Sequence, residues 1–217
     1  TLFRSNFYNY LLQRKNIRSH PNNIFLLTYY DVTKTNLYEN GAIYLQSLSS
    51  MLPPLILNPK EDAHILDMCA APGSKTTQLA ALTNNKACIT ACEFDKIRAE
   101  RLKFNLNKLG TSRVTVLVKD SRNLDEFFRF DTIMLDAPCS GSGTVLLKEE
   151  SKQVFNQKVI DKCQKRQISL LKKGLSMLNK NGILVYSTCS ILKEENEFWY
   201  LSYSSTSNLL IGVNFII

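Results

Sequence analysis

The chain has 217 residues, 44% of them hydrophobic and 21% charged, and carries a formal charge of +8. That length suits one α/β domain with a full core and a short appendage, and the composition is that of an ordinary globular chain. No apolar run reaches the roughly eighteen residues of a membrane span, and residues 1–10 lack the charged-then-apolar layout of a signal peptide, so a cytoplasmic protein is expected. The chain starts at Thr1 rather than Met, as a fragment would.

In chain order, Asn22, Asn23, Asn36 and Asn40 punctuate the first sixty residues, and Gly41 precedes the apolar run 42–45. Residues 47–57 read as a short helix interrupted by Pro53 and Pro54. From His64 the pattern becomes alternating strand and helix. Residues 64–69 form a strand bounded by a Gly/Pro turn, and 75–83 a helix. A strand over 88–93 leads to a helix over 96–109 that stops at Gly110. Strands over 114–119 and 132–136 follow, then a basic helix over 159–178, a turn at Asn181-Gly182 and a strand over 183–188. Such alternation predicts a parallel sheet with helices on both faces, in which ligands bind at the C-terminal ends of the strands where strand order reverses.

The six cysteines are Cys69, Cys88, Cys92, Cys139, Cys163 and Cys189. None form a CxxC pair and only two histidines exist, so no metal site is expected. Several lie in apolar strand-like runs, which points to buried thiols in a reducing compartment rather than a disulfide framework. The positive charge is either background from a composition rich in Lys, Asn and Ile or the mark of a polyanionic partner, the sharper reading. Lys162, Lys165, Arg166, Lys172 and Lys173 on one helix, and Arg98, Arg101, Lys103 and Lys108 on another, are candidates for such contacts or ordinary solvated faces.

Four segments at strand ends carry chemistry. The first, Asp67-Met68-Cys69-Ala70-Ala71-Pro72-Gly73-Ser74-Lys75-Thr76, joins strand to helix with small residues that let a ligand approach the backbone. It lacks the leading Gly of a P-loop, Ser74 separates Gly73 from Lys75, and the spacing fails GxGxxG, which disfavours a pyrophosphate. A tight packing turn is the plainer alternative. Glu93 closes the second strand, where an acid accepts hydrogen bonds from the ribose hydroxyls of an adenosine-type cofactor; Asp95 competes for that role. Asp120, after the third strand, is placed to accept from an adenine amino group or to cap a helix.

The remaining segments are Leu135-Asp136-Ala137-Pro138-Cys139-Ser140-Gly141-Ser142-Gly143 and Tyr186-Ser187-Thr188-Cys189-Ser190. A lone strand-end Cys is ordinarily buried filler, but here two stand in equivalent positions, each followed by Ser. In the strand order 3-2-1-4-5, Cys139 and Cys189 would face one another within roughly 10 Å, beside the turn at 70–75.

AAPGSKT, LDAPCSGSG and STCS, in that order, resemble the signature of the Sun-type RNA cytosine-5 methyltransferases. The likeness runs from Gly41 to Glu197 and takes in Gln46, the segment Ser49-Ser50-Met51-Leu52-Pro53, Arg98, residues 105–110 and Glu194-Glu195-Asn196-Glu197. It implies a doubly wound, mostly parallel sheet of the Rossmann-like class I methyltransferase type, over residues 41–217. It implies S-adenosyl-L-methionine as cofactor, held at Cys69, Ala70, Ala71, Pro72, Gly73, Ser74, Lys75, Glu93, Asp120 and Asp136. It also makes Cys189 the attacking nucleophile and Cys139 the thiol that assists product release. Two departures stand out. The family's domain ends with an antiparallel strand pair, whereas only 209–217 offers a strand here, so the last edge strand is expected to be missing. Residues 1–40 would cover only part of the RNA-binding extension such enzymes often carry.

The chemistry suits these residues. Carbon 5 of cytosine is a poor nucleophile until a thiolate adds at carbon 6, and cysteine is both a good nucleophile and a competent leaving group. Asp136 is placed to bond the cytosine edge, donating as the acid or accepting as the carboxylate, and Lys75 to contact the base or nearby backbone. The expected partner is RNA, probed at a single-stranded or flipped cytosine, with ribosomal RNA preferred over transfer RNA and a monomer expected. A methyltransferase acting on protein or a small molecule would have no use for two facing cysteines, and a non-catalytic RNA-binding assembly factor on the same fold would have no need to keep them.

Overall fold

The computed structural model describes residues 33–144, 156–196 and 209–214. Residues 1–32 of the expected extension and 215–217 of the expected last strand lie outside the described residues. Six strands, β1 (His64–Asp67), β2 (Cys88–Cys92), β3 (Val114–Leu117), β4 (Phe130–Asp136), β5 (Leu178–Thr188) and β6 (Leu209–Asn214), form one sheet in the order β3-β2-β1-β4-β5-β6. All neighbouring pairs are parallel. The order reverses between β1 and β4, so their C-terminal ends flank the crevice where such sheets bind ligands.

The strands read as nearly continuous apolar runs because both faces are covered. On one face Leu66, Ile133, Leu135, Leu184 and Tyr186 pack with Leu170, Leu171 and Met177 of a long helix, α5 (Gln157–Met177). On the other, Ile65, Ile89, Met134 and Val185 pack with Leu57, Leu79 and Ala80, which belong to α2 (Leu48–Leu57) and α3 (Ser74–Leu82). Alternate residues of each strand serve alternate faces, as the two-residue period of a strand requires. Gly174 lets α5 lie close on the sheet, since a Cβ there would stand 2.9 Å from Leu184 Cδ1 and 3.0 Å from Met68 Sδ. The other helices are α1 (Asn36–Glu39), α4 (Lys96–Lys108) and α6 (Lys193–Asn196). Among the described residues no helix is long and apolar enough to cross a membrane.

Two sequence expectations are corrected. Pro53 and Pro54 do not interrupt α2, which runs through both. Pro54 has no N–H for the Ser50 carbonyl, and Gln46 Nε2 donates to that carbonyl instead, at 2.9 Å. The Asn181-Gly182 turn does not precede β5 but is absorbed into it. Pairing jumps from Phe130↔Leu178 to Thr132↔Ile183, a bulge in which Asn181 takes φ 64°. The single C-terminal strand expected within 209–217 is β6, which adds parallel to β5, Ile183↔Leu209 through Thr188↔Asn214; no antiparallel pairing occurs among the described residues.

Candidate active site

The turn after β1 is fixed by its own backbone and by α4. Gly73 caps α3 at φ 106°, a region open to glycine, and a Cβ there would meet Leu102 Cδ1 of α4 at 2.9 Å. Arg98 Nη2 donates to the Ala71 carbonyl at 2.9 Å and Asn105 Nδ2 to the Pro72 carbonyl at 2.7 Å. Beneath the turn Asp67 is buried. Its Oδ2 accepts from Thr76 Oγ1 at 2.7 Å, while Oδ1 has no partner. Burial pushes its carboxyl up to about 7, against the Thr76 hydrogen bond. Asp67, Cys69, Ala70, Ala71, Pro72, Ser74, Lys75 and Asp136 line one recess. A roomier depression lined by Glu61, His64, Lys86 and Arg113 lies at the opposite end of the sheet and holds none of these residues.

Glu93 and Asp95 are now distinguished. Asp95 caps α4, accepting from Arg98 N at 2.9 Å, whereas Glu93 is buried at the end of β2, accepting from Asp95 N at 3.0 Å and lying 3.5 Å from Arg98 Nη1. Asp120 takes the capping role, and pairs with a residue the sequence did not single out. It caps the turn Ser121–Asn123 and pairs with Arg122 at 2.5 Å, and the Arg122 guanidinium holds its carboxyl below the usual range.

At the mouths of β4 and β5 the two thiols approach more closely than the strand spacing suggests, Cys139 Sγ to Cys189 Sγ at 2.9 Å. The contact is asymmetric. The Cys139 hydrogen bond lowers Cys189 to about 7, with help from the Lys75 charge and against burial and Asp136. Cys139 is pushed well up by the same contact and by burial. Burial raises Cys69, Cys92 and Cys163. All six cysteines are free.

Lys75 bonds Asp136 Oδ2 at 2.7 Å and Ser50 Oγ at 2.9 Å, the second contact made possible by the packing of α2 against α3. Asp136 Oδ1 accepts from Ser187 Oγ at 2.8 Å. Lys75 and Ser187 thus donate to the two oxygens of Asp136. The ion pair is partly open, side chains 15% and 33% exposed, so an incoming polar group can still reach it.

The basic helices divide into two groups. On α4, Arg98 is engaged by the turn, Lys103 pairs with Glu100 at 2.7 Å and Lys108 stands over the Tyr38 ring at 4.3 Å. On α5, Lys162, Lys165 and Lys172 are exposed, and Arg166 lies over the Phe94 ring at 5.5 Å. Gln46, Ser50, Glu195 and Asn196 fell within the sequence resemblance without a role, yet all four bond at or beside the site. No local pattern ties Ser50 to Lys75; only the fold does.

Residues 54–202 match the family model described as 16S rRNA methyltransferase RsmB/F. The ribosomal RNA small subunit methyltransferase F of Aeromonas salmonicida (strain A449) is 39% identical over 164 residues, 73% of this chain and 34% of that protein. The probable ribosomal RNA small subunit methyltransferase B of Bacillus subtilis (strain 168) is 34% identical over 169 residues, 76% and 38% of the two. The structure of NSun6 from Pyrococcus horikoshii with SFG superposes with a TM-score of 0.70 at 36% identity, covering 76% of this chain and 42% of that one. The chain thus spans about a third of the length of the curated relatives it matches.

Proposed function

The chain belongs to the RsmB/F family of 16S rRNA methyltransferases, and on that footing we propose that it methylates carbon 5 of a cytosine in ribosomal RNA through a covalent adduct with Cys189. The observation that carries the reading is the thiol pair: 2.9 Å between sulfurs, with one thiol lowered by the other. A methyl acceptor that is already nucleophilic gains nothing from such a pair.

The turn at 69–75 fits S-adenosyl-L-methionine. Asp67 offers a buried oxygen without a partner, and Glu93 presents a buried carboxylate at the next strand end. A relative solved with the S-adenosylmethionine analogue SFG supports that assignment. Cys69 to Lys75, Glu93, Asp120 and Asp136 would hold it, and when bound it supplies the methyl group. Asp120 enters with its carboxylate already paired to Arg122.

Cys189 acts as a thiolate on carbon 6 of the ring, forming an S–C bond and sending the ring's electrons toward carbon 5. The Asp136 carboxylate accepts from the cytosine amino group, and Lys75, 2.7 Å from its Oδ2, orients it. Once carbon 5 is methylated its proton must leave, the C–H electrons re-form the ring double bond, and the Cys189 thiolate departs. A water positioned by Cys139, or Cys139 itself once its own proton has passed to solvent, receives that proton. Residues 41–217 form the catalytic domain in this reading, and residues 1–40 part of an RNA-binding extension. The reaction requires a cytosine outside the base stack.

Incubation of the chain with a 16S rRNA transcript and S-adenosylmethionine, followed by bisulfite sequencing, should show 5-methylcytosine that is absent with Cys189→Ala. Methylation at any other atom, or none, refutes the proposal.

A further inference from the structure

Two consecutive residues of α6 reach the two cysteine loops separately. Glu195 is fully buried. Its Oε1 accepts from the Ser140 N–H at 2.8 Å and its Oε2 from the Ser140 hydroxyl at 2.5 Å. Gln167 Nε2, 3.4 Å from the same carboxylate, donates to the Pro138 carbonyl at 3.0 Å. Both chain neighbours of Cys139 are therefore fixed by one carboxylate-centred cluster.

Asn196 does the same for Cys189. Its Oδ1 accepts from Thr188 Oγ1 at 2.6 Å, and its Nδ2 donates to the Ser190 and Leu192 carbonyls, each at 2.8 Å. The short turn that carries both residues is itself anchored, Tyr186 OH donating to the Glu195 carbonyl at 2.9 Å. A buried carboxylate is costly unless its oxygens are bonded, and here they are bonded to the loop that carries a reacting thiol. A displacement of about 1 Å in a reacting group is enough to cost on the order of a hundredfold in rate.

We propose that Glu195 and Asn196 are positioning residues with divided duties: Glu195 sets Cys139 for product release, and Asn196 sets Cys189 for the attack on the ring. The inference rests on the cytosine-5 reading above. It separates the two residues by the step each controls, which a shared role in stability would not do.

The test uses the 217-residue chain with S-adenosylmethionine and two 16S rRNA transcripts, one made with cytidine and one with 5-fluorocytidine. Fluorine at carbon 5 cannot leave as a proton, so the fluorinated RNA stays attached after methylation and its trapping rate reads the Cys189 steps alone. Adduct accumulation on ordinary RNA reads failure of release. Assays run at about pH 9.5, above the ordinary thiol range, so that ionisation of Cys189 no longer depends on its neighbour.

Glu195→Ala should trap fluorinated RNA within about twofold of wild type, yet turn over ordinary RNA about tenfold or more slowly while adduct accumulates. Asn196→Ala should trap about tenfold or more slowly and accumulate no adduct. If either variant fails to melt cooperatively, Ser140→Ala and Thr188→Val each remove one of the same contacts and should give the same split at smaller amplitude; Glu195→Gln, which keeps an acceptor for the Ser140 N–H, should restore part of the release rate. Parallel losses in both steps from both variants, or the reverse split, would overturn the assignment. Wild type that traps no fluorinated RNA would overturn the cytosine-5 reading, and this inference with it.

Discussion

At the end of β1 the site is shaped by backbone, with Gly73 at positive φ and the carbonyls of Ala71 and Pro72 held from α4. At the ends of β4 and β5 it is shaped by side chains: Ser142 meets Ser190 of the other loop at 2.8 Å, while Ser140 and Thr188 bond Glu195 and Asn196 of α6. The two halves face different demands. A cradle for a large ligand needs open backbone and small residues, while two sulfurs that share a proton need their positions fixed. One half therefore concentrates its cost in a buried, half-bonded carboxyl, and the other in a dense polar network in which Gln167 Oε1 is left without a partner.

Asp67 gives the largest expected effect. Its carboxyl rises from 3.8 to about 7 on folding, so between those values the unfolded chain has released a proton that the folded chain retains. Stability therefore falls as pH rises through that window and stays penalised above it. Asp67→Asn should gain up to about 4 kcal/mol at neutral pH, shrinking toward nothing near pH 4 as the penalty disappears, as urea melts across pH will read. A gain that does not change with pH would mean that the carboxyl is not the source of the cost.

The thiol half responds in reactivity instead. Cys139→Ala removes the S–H that holds Cys189 at about 7 and returns it toward 9.0. The thiolate fraction at pH 7 should drop from about half to about one in a hundred, slowing adduct formation roughly fifty-fold, with recovery as the pH rises. Trapping rates measured across pH decide this; an unshifted profile would show that Cys139 does not supply the hydrogen bond.

A smaller contrast lies within the cofactor half. Glu93→Ala should weaken S-adenosylmethionine binding by about 1.5–3 kcal/mol, tenfold or more. Asp95→Ala should leave affinity nearly unchanged and cost about 1 kcal/mol of stability through the lost α4 cap. Calorimetric titration beside thermal melts separates them, and equal affinities would remove Glu93 from the ribose role.

The parts of this architecture written locally were legible in the sequence. Strand starts at His64, Cys88 and Val114, and helix starts at Ser74 and Lys96, agree with apolar period and turn residues to within a residue. The errors arose where a distant or unusual partner decides the outcome. Pro53 and Pro54 read as a break because nothing local shows Gln46 bonding the stranded Ser50 carbonyl. The Asn181-Gly182 turn read as a boundary because a bulge and a turn use the same residues. Glu195 and Asn196, acidic and polar, give no apolar signal of burial, and the Lys75–Ser50 contact joins elements that only the folded chain brings together.

The division of labour between the thiols is tested most directly by a denaturing gel. Cys189→Ala and Cys139→Ala are each incubated with S-adenosylmethionine and 16S rRNA at about pH 9.5, where Cys189 ionises without its neighbour. Cys139→Ala should give a slow-migrating protein–RNA band carrying methylated cytosine, and Cys189→Ala should give neither band nor methylated product. A band from Cys189→Ala with none from Cys139→Ala would contradict the account and make Cys139 the nucleophile.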